Sequence, residues 1–269
     1  MKPTRERRGL NMADDYEGFK SKVLTMTGID LSCYKERQMK RRIDALIANH
    51  KAKGYLDFVE ILKKDQKVFE EFVAYLTINV SEFYRNPEQW EFMDKTVIPE
   101  LIKKFGKTLK IWSAACSTGD EPYSLVMALS KHIPLNQISI TATDIDKQIL
   151  AKAQVGLYNE KSIAAVPDEF KKKYFTKVGN SYKISDEIKA RVKFSQHNLL
   201  ADKYPTNYNM IVCRNVLIYF TDEAKEEIFK KYCNSLVQGG ALFIGSTEQI
   251  INYADLGYKR MNSFFYEKV

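Results

Sequence analysis

Long apolar runs, paired cysteines and clustered histidines are all missing from this 269-residue chain. No stretch reaches the roughly 18 uninterrupted apolar residues that a membrane-spanning helix requires, so membrane insertion is not expected. The opening MKPTRERRGLNM has no apolar core of a secretory signal. The cysteines Cys33, Cys116, Cys213 and Cys233 form no CxxC pair, and His50, His132 and His197 lie far apart. That spacing argues against a zinc site or a disulfide framework and for a reducing, cytoplasmic location. HExxH, GxxxxGK(S/T), GxSxG and any Cys paired with His are also absent. Metal-assisted hydrolysis, phosphoryl transfer on a P-loop and acyl transfer therefore lack their usual signatures. With 12 Gly, 7 Pro and 45% hydrophobic residues, disordered, collagen-like and low-complexity chains are excluded as well.

What is present is length enough for a large core, 12% aromatic residues and a net charge of +8, which suits an acidic partner: RNA, anionic lipid or an acidic protein. The pattern divides the chain. Residues 1–13 read as a disordered basic tail, with Met12 as an alternative start. Residues 14–76 carry helical periodicity broken at Gly28, Gly54 and Asp65 and read as a small all-helical domain. Its clearest helix runs from Cys33 to Lys53, with Met39, Ile43, Leu46, Ile47 and His50 on one face and Arg37, Lys40 and Arg41 opposite. Residues 77–105 read as a linker loop and a helix starting at Asn86-Pro87, where Asn86 suits an N-cap, Pro87 the first helical position and Gln89 a capping box. From residue 106 to 269, the apolar runs LKIWSAA, ISITATD, VKFSQHN, YNMIVCRN and GGALFIGS alternate with helical stretches, including Glu223 to Gln238. That is the pattern of a mostly parallel sheet covered on both faces. Residues 164–191 fit less well and read as a small β-insertion, a hairpin turning at Gly179-Asn180.

Open α/β sheets bind ligands at the carboxyl ends of their strands, and four segments fall there. WSAACSTGDEPYS (Trp112 to Ser124) runs from a strand through small residues into a helix, either an anion-tolerant ligand turn or an ordinary tight βα turn. Asp144 ends the second strand, where an acid can hold both ribose hydroxyls or cap a helix, a role for which Asp146 competes. His197-Asn198-Leu199 ends the third, where an amide and a backbone N–H could read an adenine edge. CRNVLIYF sets Asn215 and Tyr219 just beyond a buried strand, Tyr219 being otherwise a core aromatic with its hydroxyl at the surface. A sheet that binds a nucleoside with no evident base or nucleophile suits a substrate that arrives already nucleophilic. Methyl transfer to a carboxylate is one such reaction.

TINVSEFYRNPEQW, WSAACSTGDEPYSL, ATDID, Asn198-Leu199 and CRNVLIYF, in that order after a helical domain, closely resemble the CheR family of chemotaxis receptor methyltransferases. The resemblance covers nearly the whole chain from about Asp14. It implies an α/β fold: a Rossmann-like S-adenosylmethionine-dependent methyltransferase domain with a small β-hairpin insertion, preceded by a small all-helical domain. It also implies a cytoplasmic enzyme that uses S-adenosyl-L-methionine, releasing S-adenosyl-L-homocysteine, to esterify glutamates on the cytoplasmic methylation helices of chemoreceptors. Carried over by position, Asn79, Ser81, Arg85, Glu121, Asp144, Asn198, Leu199, Asn215 and Val216 match cofactor contacts, Ser81 standing where many members have Thr. Arg85 and Tyr219 match active-site groups, Arg85 orienting the carboxylate or, alternatively, fixing the interdomain loop through a salt bridge. No metal is implied.

The turn Val-Gly-Asn-Ser is shorter than the glycine-rich loop with which one branch of the family docks a receptor tether peptide. Dependence on such a tether is therefore not expected. The basic face Arg37, Lys40 and Arg41 is the expected substrate-binding surface, the alternative being a merely solvated face. An RNA methyltransferase and a non-catalytic cofactor-binding signalling module are the competing readings. The basic residues do not alternate with exposed aromatics as a stacking groove for single strands requires, so nucleic acid is not the expected partner.

Overall fold

The protein is described by a computed structural model covering residues 5–269, with side chains from Asp15 onward. Two compact units share the chain. The first comprises residues up to Ile78 together with Tyr219–Lys225, and the second Asn79–Ile218 with Glu226–Val269.

In the first unit, helices α1 (Arg5–Thr27), α2 (Glu36–Asn49), α3 (Tyr55–Lys64) and α4 (Gln66–Thr77) bury Phe19, Val23, Ile43, Phe58 and Phe72. Phe72 meets Phe58 edge-on at 5.7 Å and Phe19 at 6.1 Å, the offset geometry that aromatic quadrupoles favour. The backbone is helical from Arg5, so the segment read as a disordered tail over 1–13 joins α1; residues 1–4 lie outside the described residues. The helix expected from Cys33 starts later, at Glu36. Asp30 caps a short 3₁₀ turn at Leu31–Cys33 by accepting from the Ser32 N–H (2.9 Å), and the chain is extended at Tyr34. Within this unit Tyr34 bridges Phe220, and the Lys35 N–H donates to the Tyr219 carbonyl at 2.9 Å.

The second unit is built on a seven-stranded sheet. Its strands are β1 (Ile111–Ala114), β2 (Ile140–Asp144), β6 (Val192–Gln196), β7 (Tyr208–Cys213), β8 (Leu236–Ile244), β9 (Tyr258–Arg260) and β10 (Phe265–Lys268). The order is β6-β2-β1-β7-β8-β10-β9, the first five parallel and the last two antiparallel. β1 is buried throughout, as a parallel strand with helices on both faces must be. Helix α5 (Pro87–Phe92) runs through a π-helical turn at Met93–Val97 into α6 (Ile98–Phe105), while α7 (Asp120–Leu129), α8 (Lys147–Val155) and α11 (Asp222–Ser235) follow β1, β2 and β7. α11 stops at Ser235, short of the expected Gln238, because Leu236 already pairs with Tyr208 before the register shifts and Ala241 comes opposite Met210.

Between α8 and β6 lies a second, antiparallel sheet, β3 (Leu157–Asn159), β5 (Ser181–Ile184) and β4 (Phe175–Val178) in that order, with α9 (Asp168–Tyr174) and α10 (Asp186–Lys189) beside it in sequence. The hairpin turn stands at Gly179-Asn180. Three strands rather than two form the insertion, since β3 is recruited from upstream of residue 164. A three-residue strand shows no alternation long enough to read, and only the pairing of Tyr158 opposite Tyr182 reveals it.

Candidate active site

The chain leaves β1 for β2 and β6 on one side and returns to β7 and β8 on the other, so the sheet switches direction between β1 and β7. A crevice outside the carboxyl ends of the strands at such a point is where α/β sheets take ligands. The turn after β1 is shaped for close approach. Ala115 (φ 63°), Ser117 (φ 49°) and Gly119 (φ 87°) all adopt left-handed backbone, which costs the two non-glycine residues energy and is found preferentially at functional sites. At Gly119 a Cβ would come within 3.0 Å of both the Ala153 Cβ and the Tyr123 ring, so only glycine fits.

Asp144 is buried at the end of β2, beside that turn. Its Oδ2 accepts the Ser117 N–H (2.9 Å) and its Oδ1 the Asp146 N–H (3.1 Å). The competing role as helix cap falls to Asp146, which accepts the Gln148 and Ile149 N–H groups at the start of α8. An ionised carboxylate has about four lone-pair directions, so Asp144 keeps capacity for two further hydroxyls. Burial pushes its carboxyl above the usual range, while the backbone N–H groups of Asp146, Ser117 and Ile145 act the other way.

The segment Asn79 to Gln89 is stitched down at nearly every second residue. Asn79 Nδ2 donates to Asp146 (3.0 Å), the Ser81 side chain is bonded to Asp120, and the Phe83 N–H reaches the Ser162 carbonyl (3.1 Å). The Tyr84 N–H donates to Ser124 Oγ at 3.1 Å, and the Arg85 carbonyl accepts both Trp90 Nε1 (3.0 Å) and Arg214 Nη2 (2.7 Å). Asn86, expected as an N-cap, has left-handed backbone and makes no capping bond; its Oδ1 and the Gln89 Oε1 instead accept from Arg214 at 3.1 and 2.8 Å. The Arg85 side chain is half-buried, with a long 3.4 Å contact from Nη1 to the Val80 carbonyl.

Three groups that sequence reasoning passed over organise the rest. Asp120, fully buried at the first position of α7, bonds Thr118 as well as Ser81, and burial pushes its carboxyl up to about 6. Arg214 brings a buried guanidinium to the end of β7, with Nη1 3.9 Å from Glu121 Oε2. Glu248 accepts four backbone N–H groups, those of Gly245 (2.7 Å), Asn215 (3.0 Å), Val216 (2.9 Å) and Leu217 (2.7 Å), and so fixes the loop after β7. With the Asn215 and Val216 N–H groups turned to Glu248, the face offered to a ligand is side chain, and Asn215 Oδ1 is buried with no protein partner. Glu121 accepts from Ser113 Oγ at 2.8 Å. Burial pushes its carboxyl up to about 7, Arg214, Ser113 and Arg85 pull it down, and Glu248 adds to the rise. A charge directly after a buried apolar strand, as in MIVCR, and an acid just beyond GALFIG were the available signals for Arg214 and Glu248.

Asp144 faces Gln196 in register, which brings His197-Asn198-Leu199 to the same edge. Asn198 Oδ1 accepts the Leu200 N–H at 2.9 Å and its N–H donates to Asp202 at 2.8 Å, so the residue shapes the turn as well as presenting an amide. Leu199 is buried. His197 stacks edge-on to Trp112 and Tyr204, and burial pushes its imidazole below the ordinary value, toward the neutral form. Tyr219, Arg37, Lys40 and Arg41 belong to the other compact unit. There Arg37 and Arg41 are exposed, with no ion pair among the described residues, but Lys40 departs from the expected basic face. It is half-buried with Nζ 4.9 Å from the Tyr16 ring, because it flanks the apolar stripe and lays its stem over the bundle's aromatics.

The second unit thus gathers the buried carboxylates of Asp144 and Glu121 and buried polar atoms without protein partners at Ser117 Oγ, Asp120 Oδ1 and Asn215 Oδ1. That donor and acceptor set fits an adenosyl amino acid, and the chain is an S-adenosylmethionine-dependent methyltransferase. Residues 79–263 match the SAM binding domain of the CheR methyltransferases and residues 14–77 their all-alpha domain. The chain belongs to the CheR methyltransferase family. It is 41% identical to a chemotaxis protein methyltransferase of Listeria innocua over 96% of this chain and 98% of that one. It is 32% identical to chemotaxis protein methyltransferase 1 of Pseudomonas aeruginosa (90% and 92%) and 29% identical to its counterpart in Borreliella burgdorferi (86% of each). No helix among the described residues is long and apolar enough to cross a membrane.

Proposed function

We propose that this enzyme methylates glutamate side chains on the cytoplasmic methylation helices of chemoreceptors, independently of a receptor tether peptide and without nucleic acid as a partner. The observation that carries the reading is the clamped Asn79–Gln89 segment, which holds Arg85 on the same unit as the nucleoside acids while leaving its side chain without a strong protein partner.

When bound, S-adenosylmethionine supplies a methyl group on a cationic sulfur; a carboxylate oxygen bonds to that carbon as the carbon–sulfur bond breaks, leaving S-adenosylhomocysteine and a neutral ester. A glutamate, with an ordinary pKa of ~4.3, is already ionised at neutral pH and needs no general base. The work left to the protein is alignment. Asp144 holds the ribose, Glu121 faces the cationic end, Asn215 and Asn198-Leu199 line the adenosyl group, and Asn79 and Ser81 seat the segment that carries Arg85. Arg85 orients the substrate carboxylate by a charged hydrogen bond. Overbinding by Arg85 would stabilise the substrate more than the transition state, so a half-buried arginine with one long protein contact suits the task better than a fully clamped one. Transfer of radiolabelled methyl to receptor signalling fragments tests the proposal. Base-labile label on glutamate supports it, whereas label on RNA, or cofactor binding without transfer, replaces it.

A further inference from the structure

We infer that Arg214 is a positioning residue that couples the two halves of the site: one end of its guanidinium pairs with Glu121, and the other holds the segment that carries Arg85. This rests on the assignment of Glu121 to the cofactor and Arg85 to the substrate made above. The residue lies directly after the buried run of β7, where a charge is costly unless paired on every side. Its surroundings supply partners to both terminal nitrogens, while Nε is buried with no protein hydrogen-bond partner. Nη2 donates to the Arg85 carbonyl, to Asn86 Oδ1 and to Gln89 Oε1, at 2.7 to 3.1 Å. Nη1 stands 3.9 Å from Glu121 Oε2, and Cζ lies 4.6 Å from the Phe243 ring centre and 5.7 Å from that of Trp90. A planar fork serves both directions at once, which a lysine point charge cannot do.

The two ends have separable consequences. Glu121 is faced by Ser113 from β1, by Arg214 and Glu248 from the loops after β7 and β8, and by Arg85. Of these, Arg214 is the cation that most favours its ionised form. Taking that cation away favours the protonated form of Glu121 and weakens its answer to the ammonium of the cofactor's amino-acid end, a group that S-adenosylhomocysteine keeps. Replacing the fork while keeping the charge keeps a cation beside Glu121 but removes the Arg214 bonds to Asn86, Gln89 and the Arg85 carbonyl, which is then held by Trp90 Nε1 alone.

The test uses the full-length enzyme and two variants, with S-adenosylhomocysteine affinity followed by calorimetry from pH 6 to pH 8.5 and methyl transfer followed on receptor fragments. Arg214→Lys is expected to keep cofactor affinity within about threefold at each pH while kcat/KM for receptor falls about tenfold to a hundredfold, the scale of a misplaced reacting group. Arg214→Gln is expected to move the midpoint of the pH dependence of cofactor binding upward, and adding Glu121→Gln to it to abolish that dependence. A general packing role moves neither midpoint. Wild-type transfer by Arg214→Lys, or an unmoved midpoint in a folded Arg214→Gln, overturns the inference; if Arg214→Gln does not fold, Arg214→Lys decides alone. Failure of the wild-type enzyme to label receptor fragments counts against the proposed substrate, and the pH midpoints still decide the link from Arg214 to Glu121.

Discussion

Asp144 carries the sharpest consequence at a single position. Each of its oxygens is already aimed by one backbone N–H, so the carboxylate is pre-set in orientation before any ligand arrives. Asp144→Ala is expected to weaken S-adenosylhomocysteine binding by about 1.5 to 3 kcal/mol, the range for charged hydrogen bonds, while the protein stays folded; calorimetry reads the change. Arg85→Ala should behave in the opposite sense, losing methyl transfer far more than cofactor affinity. A parallel loss of both, or a collapsed Tm, would mean that Arg85 serves the loop alone. Glu121 adds a pH signature. Its folded carboxyl sits at about 7, above the unfolded value, so the folded chain holds a proton that the unfolded chain releases. Stability from that proton is present below the ordinary carboxylate range and is lost as pH rises through about 7. Asp120, at about 6, acts in the same direction. Denaturant midpoints of the unliganded protein should fall between pH 5.5 and pH 8, and Glu121→Gln should flatten the slope; an unchanged slope in that variant would place the titrating group elsewhere.

At the scale of elements, the loop after β7 depends on the strand beside it. A Cβ at Gly245 would lie 2.6 Å from the Asn215 nitrogen and 2.7 Å from Glu248 Oε2, contacts that no rotamer change relieves at the backbone atom. Gly245→Ala is therefore expected to displace the Asn215–Leu217 turn, costing about 1 to 3 kcal/mol in stability and weakening cofactor binding, as read by thermal melts and calorimetry. The five parallel strands were legible because buried runs such as IWSAA and MIVC are interrupted by helical stretches of the right length, and Asp144 was legible because it stands at a strand end. Asn86 was misread because sequence shows a good N-cap next to proline but cannot show a guanidinium 128 positions later claiming its side-chain oxygen. Arg214, Glu248 and Asp120 were missed for a related reason: alongside any local bonds, Arg214 holds Arg85, Glu248 holds Asn215 to Leu217 and Asp120 bonds Ser81, and local periodicity carries no trace of such long-range partners. Lys40 failed on a finer point. It stands about 60° around the helix from the buried Ile43, close enough for a four-carbon stem to reach the aromatics of α1 and α3.

For the whole molecule, the question is where a receptor docks. The net charge of +8 is spread over both units, so charge alone does not select a surface. Arg37 and Arg41 do stand out within the helical unit: one helical turn apart on α2, both exposed, and neither neutralised among the described residues, whereas Lys40 and Arg42 are occupied with Tyr16 and Tyr75. Rim charges of that kind govern encounter and register more than final affinity. Reversing Arg37 and Arg41 to Glu should accordingly lower kcat/KM for receptor fragments and leave S-adenosylmethionine affinity unchanged, and wild-type methylation should slow as salt rises and screens the same charges. Lys40→Ala should do less to recognition and more to stability, since its ammonium stacks on the bundle. Altering the Val178–Ser181 turn, or removing the receptor's C-terminal tail, should matter little, because the turn that joins β4 to β5 is short and offers no extended loop to grip a peptide. Normal methylation by the double reversal, together with failure of the turn variant, would move the recognition surface from α2 to the three-stranded sheet.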